Sequence, residues 1–245
     1  MQPVASTNPE NEPIYKPEMF GSSIVCVGAF NPAIISLDWL ERNKLIGSQD
    51  ADAARLSATL LISRQVAQFE TPWFALQVVE NQFSLTSKGA LTDAFKDLAV
   101  GVLTLLPQTP ISGIGLNFMG HYKLSLDDFH KLGDVLAPKE IWRELFSSDD
   151  RDVGLMDLTV QIQQVNRQTG VIKSKNAVRV TLQPSTVVRN GAYLGYNDHR
   201  DLSESEDLIL SPAERAAKLT ETDWQQTHKD AVMVFDGAIS KALAK

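Results

Sequence analysis

The sequence predicts an α+β fold with a mixed or antiparallel sheet and helices mainly on one face of that sheet. Apolar and polar residues alternate along 155–165, as in a strand of an antiparallel sheet with one solvated side. Apolar residues at helical spacing mark 91–105 and 125–136. The sequence lacks the regular strand–helix spacing of a doubly wound parallel sheet, so helices on a single face are expected.

The first half of the chain reads as a strand, a helix, three strands and a helix. Pro32 ends the first apolar run, because proline cannot donate to a strand ladder. Ser36 is predicted to cap the helix that follows. A polar link is expected at 47–54, and the stretch 56–66 fits either a helix or a strand. The clearest elements are strands at 24–30, 73–79 and 82–86 and helices at 36–46 and 91–105.

The second half repeats this order of elements. Ser125 is predicted to cap one helix, and Ser211 and Glu214 form the pattern of a capping box, with Pro212 at the first helical position. The segment 166–170 is expected to be a hairpin turn. The predicted strands are 111–122, 155–165, 171–182 and 192–197, and the predicted helices start at 125, 139 and 211.

The shared order β-α-β-β-β-α predicts a pseudo-repeat with halves 23–107 and 111–243. Both first helices also open with Ser-Leu-Asp, at 36–40 and 125–129. The alternative is that two strand-to-helix corners use the same capping chemistry. Residues 1–20 are polar and proline-rich, which predicts a flexible N-terminal arm before a single domain at 21–245.

Composition excludes several classes of protein. The 245 residues carry a net charge of −7 and no basic stripe, which disfavours nucleic-acid binding. No stretch approaches the roughly 18 apolar residues of a membrane helix, and the N-terminus does not resemble a signal peptide. The single cysteine, Cys26, lies in an apolar run and is expected to be a core residue. These features favour a cytoplasmic protein.

No catalytic or metal-binding motif is present in the sequence. The four histidines form no His-x-x-x-His pair, and one cysteine cannot form Cys-x-x-Cys. Phosphate-binding loops and the Gly-x-Ser-x-Gly nucleophile pattern are also missing. We therefore expect no metal and no cofactor.

A repeated Gly-x-Asn pattern marks the candidate ligand site. It occurs in two predicted strands, each with a histidine nearby, and a looser version ends the first strand. Glycine in a strand indicates close backbone approach and asparagine tolerates turns, so clustered corners at the strand ends are expected. Structural roles as turns and caps are the alternative. The candidate ligand-binding residues are Asn31, Asn117, His121, Asn197 and His199.

The last predicted helix is more apolar than packing on one sheet face requires. Trp224 and Phe235 are its candidate interface anchors, and a broad packing helix is the alternative. We expect a non-catalytic binding or assembly module that self-associates or joins a protein partner. The alternative is an enzyme of unrecognised type, a hydrolase or transferase, that uses asparagine and histidine at the strand ends.

Three segments of the chain resemble uncharacterised bacterial proteins of about 250 residues. The resemblance implies a bacterial source, and it carries no activity and no functional residue over to this chain. The segments are Phe30-Asn31-Pro32-Ala33-Ile34 with Trp39-Leu40, the stretch 65–83, and Ile114-Gly115-Leu116-Asn117 with His121.

Overall fold

A computed structural model describes residues 13–146, 152–203 and 209–244. The described residues form strands and helices in the predicted α+β arrangement. The strands are β1 (Met19–Gly28), β2 (Leu61–Ile62), β3 (Val66–Glu70), β4 (Phe74–Val79), β5 (Gln82–Ser87), β6 (Ile111–Lys123), β7 (Leu158–Val165), β8 (Ile172–Pro184) and β9 (Gly191–Asp201). The helices are α1 (Leu37–Arg42), α2 (Ser48–Arg55), α3 (Asp93–Leu105), α4 (Leu126–Leu136), α5 (Glu140–Leu145) and α6 (Pro212–Leu243).

All the described strands join one sheet, in the order β2-β3-β4-β5-β1-β6-β9-β8-β7, and each neighbouring pair is antiparallel. In each half, three consecutive strands form a meander whose last strand pairs with the first strand of that half. The first strands, β1 and β6, pair with each other at the centre of the sheet. Both halves therefore keep the predicted order of a strand, a helical segment, three strands of a meander and a last helix, although two helices follow the first strand in each half and the first half adds the short β2. A common origin of the halves stays a prediction.

Local capping chemistry sets the starts of three helices, as predicted. The Oγ of Ser36 accepts a hydrogen bond from the N–H of Trp39 at 3.2 Å. The Oγ of Ser125 accepts one from the N–H of Asp128 in α4 at 3.0 Å. At α6, Ser211 and Glu214 each accept a hydrogen bond from the backbone of the other, which completes the capping box. Each cap satisfies backbone donors that a helix start leaves unpaired.

The predicted polar link at 47–54 is wrong, because most of it forms α2. Its only buried side chains are the small Ala51 and Ala54, which give a weak periodic signal. The guanidinium of Arg55 bridges the two helices, with its nitrogens 2.7 Å from Asp38 of α1 and 2.8 Å from Asp52 of α2. The ambiguous stretch 56–66 contains the two-residue β2 between turns, and most of β3, which begins at Val66, lies outside every predicted strand.

The described part of the predicted N-terminal arm is fixed to the domain. The N–H of Tyr15 donates to Asp236 of α6 at 2.8 Å, and the N–H of Glu18 donates to the carbonyl of His121 at the same distance. Strand β1 then begins at Met19. The rest of the predicted arm, residues 1–12, lies outside the described residues.

The core lies between the sheet and the helices α3 and α6. Helix α6 packs on β6, β9 and α3. Trp224 of α6 is 1% exposed, and its ring centroid is 4.7 Å from that of Phe118 and 5.7 Å from that of Phe95. Cys26 is fully buried, and burial raises the pKa of its thiol to about 12. The thiol is therefore neutral near pH 7, as expected of a core residue.

His228 of α6 links the stability of this core to pH. Its ring lies 5.3 Å from both Phe20 and Phe118, and burial lowers its pKa from the ordinary value of 6.5. Burial also lowers the pKa of His121. Since both folded pKa values lie below the unfolded one, the unfolded chain binds protons first as the pH falls. The contribution of these two histidines to the free energy of unfolding is therefore fully present above about pH 6.5 and decreases below it.

We expect the free energy of unfolding to fall between pH 7 and pH 5, by at most about 1.4 kcal/mol per pH unit for each proton bound. Replacing His228 with phenylalanine removes one titrating group while keeping an aromatic ring between Phe20 and Phe118, so this slope should decrease. Urea denaturation at several pH values measures it. The exposed Met233 of the same helix supplies the control, because M233L removes no titrating group and should leave the slope unchanged. An unchanged slope in H228F would contradict the assignment.

Candidate functional site

Four of the predicted ligand residues lie within strands and not at corners. Asn117 and His121 belong to β6, whereas Asn197 and His199 belong to β9. They alternate with buried residues such as Phe118, which packs under α6. Their side chains therefore occupy the opposite side of the sheet, which we call the open face. The expected asparagine-led corners do not form there, because each strand continues beyond its asparagine.

Asn31, the fifth predicted ligand residue, lies apart from the other four. It precedes a 3-10 turn at Pro32–Ile34, and its Oδ1 accepts a hydrogen bond from the N–H of Ala33 at 3.2 Å. Asn31 thus has the capping role that the sequence offered as the alternative.

The two strand asparagines form the centre of the open face. Asn117 and Asn197 are directly opposite in the β6–β9 ladder, and Nδ2 of Asn197 donates to Oδ1 of Asn117. Nδ2 of Asn117 donates in turn to the Oγ of Ser23 on β1 at 3.1 Å. Side-chain hydrogen bonds therefore connect the three central strands.

This connection is part of a longer line of polar side chains. Nε of Arg179 donates to Oε1 of Gln161 at 2.9 Å, and Arg179 faces Asn197 in the next ladder. The line crosses six strands, and we call it the polar row. Among the described residues, the terminal amino groups of Arg179 have no hydrogen-bond acceptor. The polar row comprises Thr86, Ser23, Asn117, Asn197, Arg179 and Gln161.

The two histidines of the predicted site do not share a pocket. His121 faces Tyr193 across the ladder, and His199 faces Gly115. Tyr193 and His199 are six positions apart on β9, a distance of about 20 Å at about 3.4 Å per residue. General acid–base catalysis needs its groups within hydrogen-bond reach of one substrate, so these histidines cannot act as a pair.

His121 has a structural role at one end of this face. Its Nδ1 lies 2.9 Å from the Oγ of Ser185, and that oxygen also accepts the N–H of Val188 at 2.8 Å. The same oxygen also accepts the N–H of Val187 at 3.2 Å, so both of its lone pairs are used and its proton is directed to Nδ1, which leaves the ring proton on Nε2. The ring packs 5.1 Å from that of Tyr193, and burial lowers its pKa. His121 thus holds the turn that leads into β9.

The strand glycines make room for neighbouring side chains. A Cβ on Gly115 would lie 3.0 Å from Nδ2 of Asn197, and one on Gly195 would lie 3.0 Å from the hydroxyl of Tyr193. A Cβ on Gly113 would similarly approach the ring of His199. The space above these glycines is therefore filled by the chain's own side chains, whereas the sequence had suggested close approach of a ligand or of a neighbouring strand.

Sequence reasoning missed an ion pair on the helix side of the sheet. Asp198 is 5% exposed, and its two oxygens accept hydrogen bonds from Nε and Nη2 of Arg200 at 2.7 and 2.8 Å. Thr227 of α6 donates to the same carboxylate at 3.4 Å. Burial and the charges of Asp198 and Asp230 raise the pKa of Tyr196 to about 12. This pair connects β9 to α6, and the signal for it is an Asp-x-Arg pattern on an apolar strand face.

The predicted interface anchors are both internal. Trp224 and Phe235 are buried in the core of the chain itself, so neither is available to a partner. Exposed large apolar side chains occur instead in α5 and in the β7–β8 hairpin, which we call the outer wing. Both parts adjoin Leu182 of β8, which lines a cavity beside α5 and a groove beside β7. The exposed apolar residues of the outer wing are Ile141, Trp142, Leu145, Phe146, Val160, Ile162, Val165, Val171 and Ile172.

The cavity beside α5 has a volume of about 200 Å³ and a partly charged lining. Nζ of Lys139 lies 2.5 Å from Asp134, which lowers the pKa of that carboxyl group. Arg143 lies 3.6 Å from Asp152. Because these charges pair with one another, the cavity presents no unpaired charge of theirs to a ligand.

The described residues contain no group of three or more His, Cys, Asp and Glu side chains arranged to bind a metal. Within the same residues, no helix has the length and apolar character needed to cross a membrane. Comparison with known proteins finds no matching family model and no matching curated protein. The class of this protein is therefore defined only by its fold and surfaces. It is an α+β protein with an antiparallel sheet, one helix-covered face and one polar open face.

Proposed function

We propose that this chain is a non-catalytic binding or assembly module of a bacterial cytoplasmic complex, and that the outer wing is its contact surface. The exposure of apolar side chains in that wing carries the proposal. Ile141 and Leu145 of α5 are each 68% exposed, and Trp142 and Phe146 beside them are exposed as well. Groups of exposed apolar residues of this kind mark interaction sites.

The composition of α5 supports a contact surface. Its six residues include three large apolar ones, and none of the six is buried in the chain. Tryptophan is enriched among the residues that dominate binding energy, so Trp142 replaces Trp224 as the candidate anchor. Burying each of these side chains against a partner would contribute roughly 1.5–3 kcal/mol.

The geometry of the open face favours binding over catalysis. Its histidines lie about 20 Å apart along the ladder, and its central asparagines are hydrogen-bonded to each other. The polar row offers neutral amides and the guanidinium of Arg179, which suit recognition of a polar group. Asn117 and Asn197 therefore remain candidate ligand contacts, and no observation favours the alternative of a hydrolase or transferase.

The proposal is tested by the mass of the complex in cells. The tagged chain is expressed at its native level in the source bacterium and purified under native conditions. We expect light scattering to give a molar mass above that of one tagged copy, of which the chain itself accounts for 27.0 kDa. Trp142→Ser should weaken that assembly at least about tenfold, because tryptophan anchors commonly contribute more than the 1.4 kcal/mol that a factor of ten requires.

Leu56→Ser provides the matched control. Leu56 is a large exposed apolar residue at the end of α2, outside the outer wing. The L56S variant should assemble like the wild type. A wild-type mass of 27.0 kDa in cells, or equal weakening by L56S and W142S, would contradict the proposal.

A further inference from the structure

The two edges of the sheet are protected to different degrees. Proteins protect exposed edge strands by short length, charged residues, proline or bulges. The edge strand β2 has only two residues. The opposite edge, β7, has eight residues and includes neither a charged residue nor a proline. Its ladder with β8 is regular until the irregularity between Gln163 and Val165. Among the described strands, β7 is therefore the less protected edge, which we call the open edge.

The helix side of β7 is also incompletely covered. Val160 and Ile162 are about half exposed, and with Leu158 they form one wall of a groove of about 240 Å³. Val234 and Ala238 of α6 form part of the other wall, and every side chain that lines the groove is apolar. The open backbone edge and the apolar groove thus belong to the same strand.

We infer that β7 pairs with β7 of a second copy of this chain, antiparallel and about a two-fold axis at Val160. This inference rests on the proposed function and names the partner. About this axis the residues of one β7 face residues of the other β7, Leu158 facing Ile162 and Thr159 facing Gln161, so charges on β7 would be brought close to one another. The chain has a net charge of −7, yet β7 carries no charge. The edge is therefore electrostatically compatible with itself.

The register follows from the alternation of side chains. An axis at Val160 places the two Val160 side chains opposite each other and Leu158 opposite Ile162 of the second copy. All three are helix-side residues, as their pairing with Val180, Leu182 and Val178 of β8 shows. An axis at Gln161 would instead place Leu158 opposite the polar Gln164. Pairing at Val160 joins two apolar grooves and two sheets into continuous structures.

A charge in the joined groove tests the inference. Sedimentation equilibrium of the purified chain at about 1–100 μM covers contacts of micromolar strength. The wild type should reach twice its 27.0 kDa mass. Ile162→Lys would place two ammonium groups in the joined apolar surface, so we expect its dissociation constant to rise at least about a hundredfold. Ile62→Lys on β2 is the matched control, since Ile62 is 43% and Ile162 is 53% exposed, and this variant should dimerise normally.

Cysteine cross-linking tests the register separately. The native Cys26 is fully buried, so an introduced thiol is the reactive one. Val160→Cys would place two thiols across the axis with Cα atoms about 4.5–5.5 Å apart, within disulfide range. Oxidation should link this variant. Gln163→Cys should remain unlinked, because its two copies would be about 20 Å apart.

The outcomes separate this inference from the proposed function. A purified wild type that stays at 27.0 kDa up to about 100 μM overturns self-pairing. So does a dimer that persists in I162K, or one that cross-links through Gln163→Cys and not through Val160→Cys. If the purified chain is a monomer but forms a larger species in cells that W142S weakens, the proposed function stands and the partner is another protein. A monomer in both settings contradicts both.

Discussion

Replacing Trp224 with alanine should lower the free energy of unfolding by about 3–5 kcal/mol, the range for removing a large aromatic side chain from a core. The indole is 1% exposed and packs against Phe95 and Phe118, so its loss would leave a cavity between α3, α6 and β6. Urea denaturation followed by circular dichroism measures the change, with the denaturant slope compared between variants.

Met233→Ala on the same helix is the control for this prediction. Met233 is exposed, so its truncation should change stability by no more than about 0.5 kcal/mol. The milder Trp224→Phe distinguishes a core residue from an interface anchor. If Trp224 is a core residue, W224F should lower the free energy of unfolding and leave the molecular mass unchanged. Weaker association at unchanged stability would instead restore Trp224 as an anchor.

The features that the sequence predicted correctly depend on short stretches of chain. Four residues suffice to recognise the caps at Ser36, Ser125 and Ser211, because the capping hydrogen bonds span three positions. The alternation along 155–165 likewise identified β7 and predicted its antiparallel pairing. The order of elements then gave the fold class, since each half places its strands in a meander.

The candidate site was harder to predict because long-range pairing determines it. The Gly-x-Asn pattern suggested turns, since asparagine favours them in local terms. In the fold, Asn117 and Asn197 meet across 80 positions of sequence and satisfy each other within strands. The pairing of β6 with β9 therefore outweighs the local preference. The same pairing separates His121 from His199, which no local pattern could reveal.

Burial of the tryptophans was equally hidden in the sequence. Trp142 has Ile141, Leu145 and Phe146 near it in the sequence, whereas the residues next to Trp224 are polar, so local patterning favours burial of the wrong tryptophan. The difference arises in three dimensions, because α6 crosses the centre of the sheet whereas α5 buries none of its residues. Interface residues were therefore expected on the long last helix, although the exposed ones lie on a short helix and an edge strand.

The second large effect is expected at the ion pair beneath α6. Replacing Asp198 with alanine should lower the free energy of unfolding by about 3 kcal/mol, because the guanidinium of Arg200 loses its two-pronged partner and keeps only the carboxylate of Asp223, 3.7 Å away. The value is at the lower end of the range for buried pairs, since the Arg200 side chain is one-third exposed and keeps some water contact. Urea denaturation near pH 7 measures it.

Two further variants show whether the cost arises from an unpaired charge. Glu70→Ala breaks the exposed pair with Lys88, whose atoms lie 2.9 Å apart, and should cost much less than D198A, because water screens exposed charges. The double change Asp198→Leu with Arg200→Met removes both charges and should recover most of the loss, since apolar side chains can replace a buried pair. If D198A lowers the free energy of unfolding no more than E70A does, the Asp198–Arg200 pair does not stabilise the packing of α6 on the sheet. If the double variant is as unstable as D198A, the cost arises from packing and not from the charge left on Arg200.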